Sequence, residues 1–205
     1  MLHTATVEPL TLGLLKRLMN DAALNQFNLA GGTALALQIG NRKSIDLDMF
    51  SSTDFEASVI LQHLINVNYN PKVLMLLKQT LIVEIEGIKV DFIRFRYPFA
   101  HAIETIEGVR LAHLEDIACM KIDAIMGRGK KKDFYDLYFL LERYTLSEIM
   151  NWYSQMYPHS TLFHVYKSLT WFEDADIDGS VDILNKKHTW EKVKKTIVKA
   201  VEKAI

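Results

Sequence analysis

The chain has 205 residues, 49% hydrophobic and 24% charged, with a formal net charge of −1. That balance excludes a disordered chain and a uniformly basic nucleic-acid binder, and leaves room for one sizeable domain or two small ones. A single cysteine, Cys119, excludes an internal disulfide framework. No basic start leads into a long apolar run, and no stretch approaches the ~20 apolar residues of a membrane span. We therefore expect a cytoplasmic protein with no signal peptide and no membrane partner.

Leucines and a methionine at helical spacing predict a helix over 9–24. Residues 27–31 read as a short apolar strand, and 32–40 as a short helix ended by Gly40. Over 44–51, Ile45, Leu47 and Met49 alternate with Asp46, Asp48 and Phe50, a strand pattern. Residues 53–67 read as a helix with Thr53 as its cap. Residues 71–96 then form a hairpin or meander turned at Glu86-Gly87, with Val83, Ile85, Ile88, Val90 and Phe92 apolar between Glu84, Glu86, Lys89 and Asp91. After Pro98 the character changes, and 113–129, 131–144, 146–157, 161–172 and 189–205 all read as helices. The fold class is α+β: an N-terminal mixed sheet with flanking helices over 1–105, then an all-helical part over 106–205 completing an active-site cleft. No internal repeat is visible.

Two basic clusters interrupt the near-neutral charge. "GRGKKKD" spans 127–133, and 186–205 holds seven lysines against two glutamates. Both can be solvated helix faces or phosphate-attracting patches.

The chemistry gathers around "LAGGTALALQIGNRKSIDLDMFS", residues 29–51. Asp46 and Asp48, at i and i+2 on a strand, share a face roughly 7 Å apart. Like charges so placed raise each other's pKa unless a cation joins them, and hard divalent cations take carboxylate and phosphate oxygens. Asp91, between Val90 and Phe92 on a later strand, supplies a third carboxylate if the two strands are neighbours. The set Asp46, Asp48, Asp91 then suits a metal site for phosphoryl-type displacement. Gly31-Gly32 between strand and helix lets backbone N–H groups and a helix N-terminus approach a phosphate, with Thr33 as hydroxyl donor or cap. Each feature alone is weak: glycine pairs are usually turns, and Asp-x-Asp is common on solvent faces.

Further along, Lys121 lies beside an apolar stripe of Ile117, Met120, Ala124 and Ile125, where it can snorkel or aim its ammonium at a phosphate. Asp133 and Asp136 share a helix face, and Asp133 suits a cap or dipole partner. The seven histidines show no metal-ligand spacing, Cys119 reads as core, and Tyr135, Tyr138, Phe139, Tyr144, Trp152 and Tyr153 read as mostly core.

Gly31-Gly32 followed by Asp46-Leu47-Asp48 resembles the signature of the polymerase-beta-like nucleotidyltransferase superfamily. The longer string "GGTALALQIGNRKSIDLDMF" is similar to the AbiEii/AbiGii toxin family within it, including MenT-type toxins. "KIDAIMGRGKKKDFYDLYFLL", residues 121–141, resembles that family's second block, a lysine followed by Arg and Lys-Asp-x-x-Asp. The resemblance implies transfer of a nucleoside monophosphate from an NTP to an acceptor, releasing pyrophosphate. Asp46, Asp48 and Asp91 would hold Mg²⁺ or Mn²⁺. Gly31, Gly32, Thr33, Arg42 and Ser44 would lie along the triphosphate, Ser44 at a position that can be modified in relatives. Lys121 would neutralise phosphate charge, and Asp136 would be the second-block acid. A tRNA 3′ end or other RNA as acceptor and a cognate antitoxin as partner follow from the same resemblance. The alternatives are a non-catalytic NTP-binding module, or an enzyme modifying a protein or a small molecule such as an antibiotic.

Overall fold

In the computed structural model, which describes residues 1–205, α1 (Pro9–Asn20) starts with proline at its first turn, where the missing N–H is no loss. Thr11, Leu14, Leu15 and Leu18 bury one face at i, i+3, i+4 and i+7. The helix is shorter than its periodicity predicts. Asp21 leaves the helical region (φ −78°, ψ 113°), and its carboxylate accepts from Ala23 N–H to open a separate 3₁₀ turn, Ala22–Leu24.

Two units divide the chain, Met1–His113 and Leu114–Ile205. The first is built on a seven-stranded mixed sheet of β1 (Asn28–Ala30), β2 (Leu47–Ser51), β3 (Lys72–Leu77), β4 (Thr80–Ile85), β5 (Ile88–Arg94), β6 (Glu104–Ile106) and β7 (Val109–Leu111), in the order β3-β4-β5-β2-β1-β7-β6. The β2–β5 and β1–β7 pairs are parallel and the others antiparallel. Helix α2 (Gly31–Ile39) packs on β1 and β2, and α3 (Ala57–Asn66) on β3 and β4. Gly40, at φ +70°, caps α2 in the left-handed conformation, as its position predicts.

Three expectations need correction. Strand β2 begins at Leu47, not Ser44, and Ile45 is 65% exposed, so the apolar alternation holds only from Leu47. Helix α3 begins after Glu56, and Thr53 caps nothing; its hydroxyl donates instead to Gln26 Oε1 (3.0 Å). The third is the hairpin β6–β7, which the sequence reading passed over. Its turn, Glu107-Gly108 (φ +52° and +80°), repeats the Glu86-Gly87 turn of β4–β5 (φ +55° and +79°). "IEGIKV" and "IEGVRL" are one hairpin signal used twice, with two left-handed residues matching strand twist. The second hairpin inserts Arg110, whose guanidinium donates to the carbonyls of Met19 (2.8 Å), Phe27 (3.1 Å) and Leu24 (3.2 Å).

The second unit is helical. Helix α4 (Leu114–Arg128) packs against α5 (Lys131–Leu140), α6 (Leu146–Met156) and α7 (Leu162–Leu169). After the short α8 (Glu173–Asp176), which periodicity did not reveal, α9 (Trp190–Ala204) buries Val193, Ile197 and Val201 and packs on α5, α6 and α7. Thr145 and Glu148 close a reciprocal capping box at α6. No helix is long and apolar enough to cross a membrane.

Candidate active site

Strand β1 ends at Ala30, directly opposite Asp48 on β2. The next residue, Gly31, turns into α2 at φ +64°, and a Cβ there would stand 2.1 Å from Asp48 Oδ2. Only glycine permits both that backbone and that approach. The carboxylate of Asp48 thus lies against the first turn of α2, where helix N–H dipoles favour negative charge.

On its other side β2 runs parallel to β5, with Asp48 and Asp91 in register. Adjacent strands are about 4.8 Å apart, so the two carboxylates rise side by side from one face. Asp91 is 7% exposed. Its Oδ2 accepts from Lys89 Nζ at 2.5 Å, while Oδ1 is buried with no hydrogen-bond partner. Buried polar atoms are rarely left so, and an orphaned carboxylate oxygen marks a place for a cation or proton donor. Hard oxygen donors of this kind fit Mg²⁺ or Mn²⁺.

Asp46 sits just before β2, half-buried, and its main-chain carbonyl accepts the hydroxyl proton of Thr33. With that proton committed, Thr33 Oγ1 receives the Ser44 hydroxyl, 2.8 Å away. Thr33 is fully buried and Ser44 nearly so. A Cβ on Gly32 would meet Arg42 Nη2 at 2.4 Å and Ser44 Oγ at 3.5 Å. Arg42 is itself 5% exposed and donates through Nη1 to the Lys43 carbonyl (2.9 Å). Gly32, Thr33, Arg42 and Ser44 therefore form one polar cluster at the start of α2, next to the strand bearing Asp48.

In the helical unit, Lys121 is 3% exposed and its ammonium contacts Asp133 Oδ1 (2.9 Å) and Asp136 Oδ2 (2.6 Å), both fully buried. Arg128 grips Asp133 from the other side, Nε to Oδ2 at 2.8 Å and Nη2 to Oδ1 at 3.0 Å. Burial alone would push the Asp133 carboxyl up, but Lys121 and Arg128 together hold it below its ordinary value. Asp133 is therefore not the helix cap that its position in the first turn of α5 allowed, since it binds no helix N-terminal amide. Nor does Lys121 snorkel to solvent: two aspartates surround its ammonium.

Two partners escaped the sequence reading. Lys89, at i−2 from Asp91, shares its strand face, and the Lys-x-Asp spacing was signal enough. The Arg128 fork depends on the turn between α4 and α5, which no periodicity foretells. Cys119 is buried in α4, and burial, with Asp116 adding to it, raises its thiol to about 12. Parts of both basic clusters are spent locally: Lys130 pairs with Asp178 (3.0 Å), and Lys194 with Asp176 (3.1 Å) and Glu191 (2.9 Å).

Residues 13–157 match the family described as nucleotidyl transferase AbiEii toxin, type IV toxin–antitoxin system. An uncharacterized protein of Aquifex aeolicus (strain VF5) is 36% identical over 197 residues, 92% of each chain. Among solved structures, the fold is similar to MenT4, a nucleotidyltransferase toxin of Mycobacterium tuberculosis H37Rv (TM-score 0.60, 14% identity, 94% of this chain and 83% of that one). It is also similar to the antibiotic-resistance factor ANT(2″)-Ia (0.56, 16%, 72% and 92%) and to JHP933 from Helicobacter pylori (0.52, 18%, 96% and 95%).

Proposed function

Since the chain belongs to the AbiEii nucleotidyltransferase toxin family and is a nucleotidyltransferase, we propose that it moves a nucleoside monophosphate from an NTP to an RNA acceptor, a tRNA 3′ end foremost. Release of pyrophosphate and silencing by a cognate antitoxin complete this reading. The observation that carries it is the Asp48–Asp91 pair: two carboxylates in register, one with a buried oxygen that nothing in the chain satisfies.

Asp48 and Asp91, with Asp46 beside them, would hold Mg²⁺ or Mn²⁺. The ion would supply positive charge at the phosphorus that accepts the incoming hydroxyl. The chain's own groups do the rest. Bare Gly31 and Gly32 let main-chain N–H groups come close to the triphosphate, and Thr33, Ser44 and Arg42 offer hydroxyl and guanidinium donors beside them. Lys121 and Asp136 are proposed as the remaining catalytic pair, Lys121 neutralising phosphate charge. Asp91 or Asp136 would take the acceptor's proton. The basic clusters at 128–132 and 186–203 fit contact with an RNA backbone.

The test is incubation with each labelled NTP and separated fractions of cellular RNA, protein and small molecules. Label entering RNA, lost in Asp46→Ala while the variant keeps its circular-dichroism spectrum, supports the reading. Label persisting in Asp46→Ala removes the metal site, and label entering protein or a small molecule removes the RNA acceptor.

A further inference from the structure

The chain has three tryptophans, all in the helical unit, and two of them are packed. Trp152 meets Tyr144 edge-on with ring centroids 5.0 Å apart. Trp190 sits among Phe134, Tyr135 and Phe172 and donates its indole N–H to Asp176. Trp171, just after α7, is the exception. It is 49% exposed, makes no ring contact, and its indole N–H finds no acceptor in the chain. Indoles away from open solvent usually find a partner for that N–H. Trp171 lines a cavity of about 340 Å³, bounded by the end of α4 with its following turn and by the segment from α7 to α8. Ligand sites begin at roughly 300 Å³, so this one suits a single base-sized group.

The polar groups around the indole are also unspent. Lys167 and Asp174 make no ion pair, and the Ser168 hydroxyl has no partner in the chain. Nearby charges are spent on one another, Lys130 on Asp178 and Lys194 on Asp176. From the α4 side the cavity is bordered by Arg128, half-exposed, whose fork also reaches Asp133. An open aromatic face, two cations and a carboxylate around one cavity are the groups that hold an unpaired nucleotide. Bases stack on exposed rings, phosphates take Lys and Arg, and a carboxylate accepts from an exocyclic amino group. We propose that this cavity holds one unpaired nucleotide of an RNA strand, its base on Trp171, its phosphate at Lys167 and Arg128, and its amino group at Asp174. The inference rests on the reading of RNA as acceptor, and gives that acceptor a docking point in the helical unit. One lysine and a partly spent arginine balance the single charge of a strand phosphate rather than the several of a free triphosphate. Because uracil lacks an exocyclic amino group, the cavity should favour cytosine, adenine and guanine over it.

The decisive measurement is fluorescence anisotropy of dye-labelled RNA tetramers of C, A or U with the full chain, in the absence of NTP and Mg²⁺. The C and A tetramers should bind more tightly than U. Trp171→Ala should weaken them by about 5- to 100-fold, the loss of one stacked base, and Trp171→Phe, which keeps a ring, by less than about 5-fold. Asp174→Asn should bring U close to C and A, since an amide offers uracil's carbonyl a donor as well as an acceptor. Half-exposed and without ring partners, Trp171 carries little of the packing, so these variants should keep their circular-dichroism spectra. A wild type that binds no tetramer, or a Trp171→Ala that binds them equally well, overturns the proposal. A preference against U that survives Asp174→Asn overturns it too, and so does unlabelled NTP that displaces the tetramers at equal concentration. No transfer is involved, so the two readings fail separately. Tetramers held through Trp171 by a chain that labels no RNA support this cavity and strike the transfer step alone.

Discussion

Asp48 and Asp91 are register partners on parallel strands, yet only Asp91 has a counter-ion on its own strand, Lys89 at 2.5 Å. If a divalent cation completes this pair, it should stabilise the fold as it binds. Mg²⁺ with an NTP should raise the melting temperature of the wild type. Asp48→Asn and Asp91→Asn should lose that rise while their metal-free melting temperatures stay within about 4 °C of the wild type. Differential scanning fluorimetry with and without Mg²⁺ reads this, and an unchanged rise in both variants rules the pair out as ligands.

Gly31→Ala is expected to be costly twice. A left-handed alanine costs about 1–2 kcal/mol, and its methyl would displace the Asp48 carboxylate, 2.1 Å away. Clearing that contact moves the carboxylate by about 1 Å, a misplacement that can cost about 10²-fold in rate. We expect a melting point several degrees lower and a transfer rate reduced by about that factor. Gly32→Ala should do less, because its backbone is not left-handed and the atom its methyl meets is the far end of the Arg42 side chain rather than the Asp48 carboxylate.

Removing the ammonium from Lys121 should damage stability before chemistry is even assayed. Lys121→Met leaves two buried carboxylates without their shared cation, and breaking a buried pair from one side costs about 3–5 kcal/mol. Urea unfolding of the variant measures it. The pH dependence has a definite sign. Against the pull of burial, Lys121 and Arg128 hold Asp133 below its ordinary value in the folded chain, so its pairing stabilises the fold fully above the unfolded value and is lost as pH falls through the folded one. Between pH 6 and 2 the wild type should lose more stability than Asp133→Asn does.

The hairpin of β6 and β7 gives a test of structure alone. Arg110→Met strips three main-chain carbonyls of their donor, and hydrogen bonds from a charged group contribute about 1.5–3 kcal/mol. A loss of about 2–4 kcal/mol in chemical denaturation is expected, with no change in the NTP-dependent melting shift.

These cases show where sequence reading reached and where it stopped. Periodicity marks α1, α6 and α9 because each buries a stripe that repeats along the chain, whereas α2, buried through Gly32–Leu37, is legible from its Ala and Leu content and the closing Gly40. Asp48 and Asp91 were legible as residue types, but their pairing depends on β2 and β5 lying side by side across forty residues of intervening chain, which no local pattern encodes. The strand pattern starts three residues before β2 itself, because Ile45 is apolar yet faces solvent. The β6–β7 hairpin was missed although its turn copies an earlier one, since three-residue strands carry too little alternation to be heard. Lys121 was placed on the right helix, but its partners come from α5, after a turn at Gly129-Lys130 that spacing alone does not close.

The Lys89–Asp91 contact also bears on how the chain reaches its finished form. A sheet that brings acidic side chains together would resist closing if each stayed uncompensated. Here a flexible ammonium on the same strand is always within reach, so the newly made protein need not wait for an ion before it folds. Loading the site would then be an exchange of one cation for another, and the long lysine stem could swing outward when displaced. Ionic strength would loosen the side-chain tether and the incoming ion alike, so occupancy would depend on salt less steeply than either affinity alone.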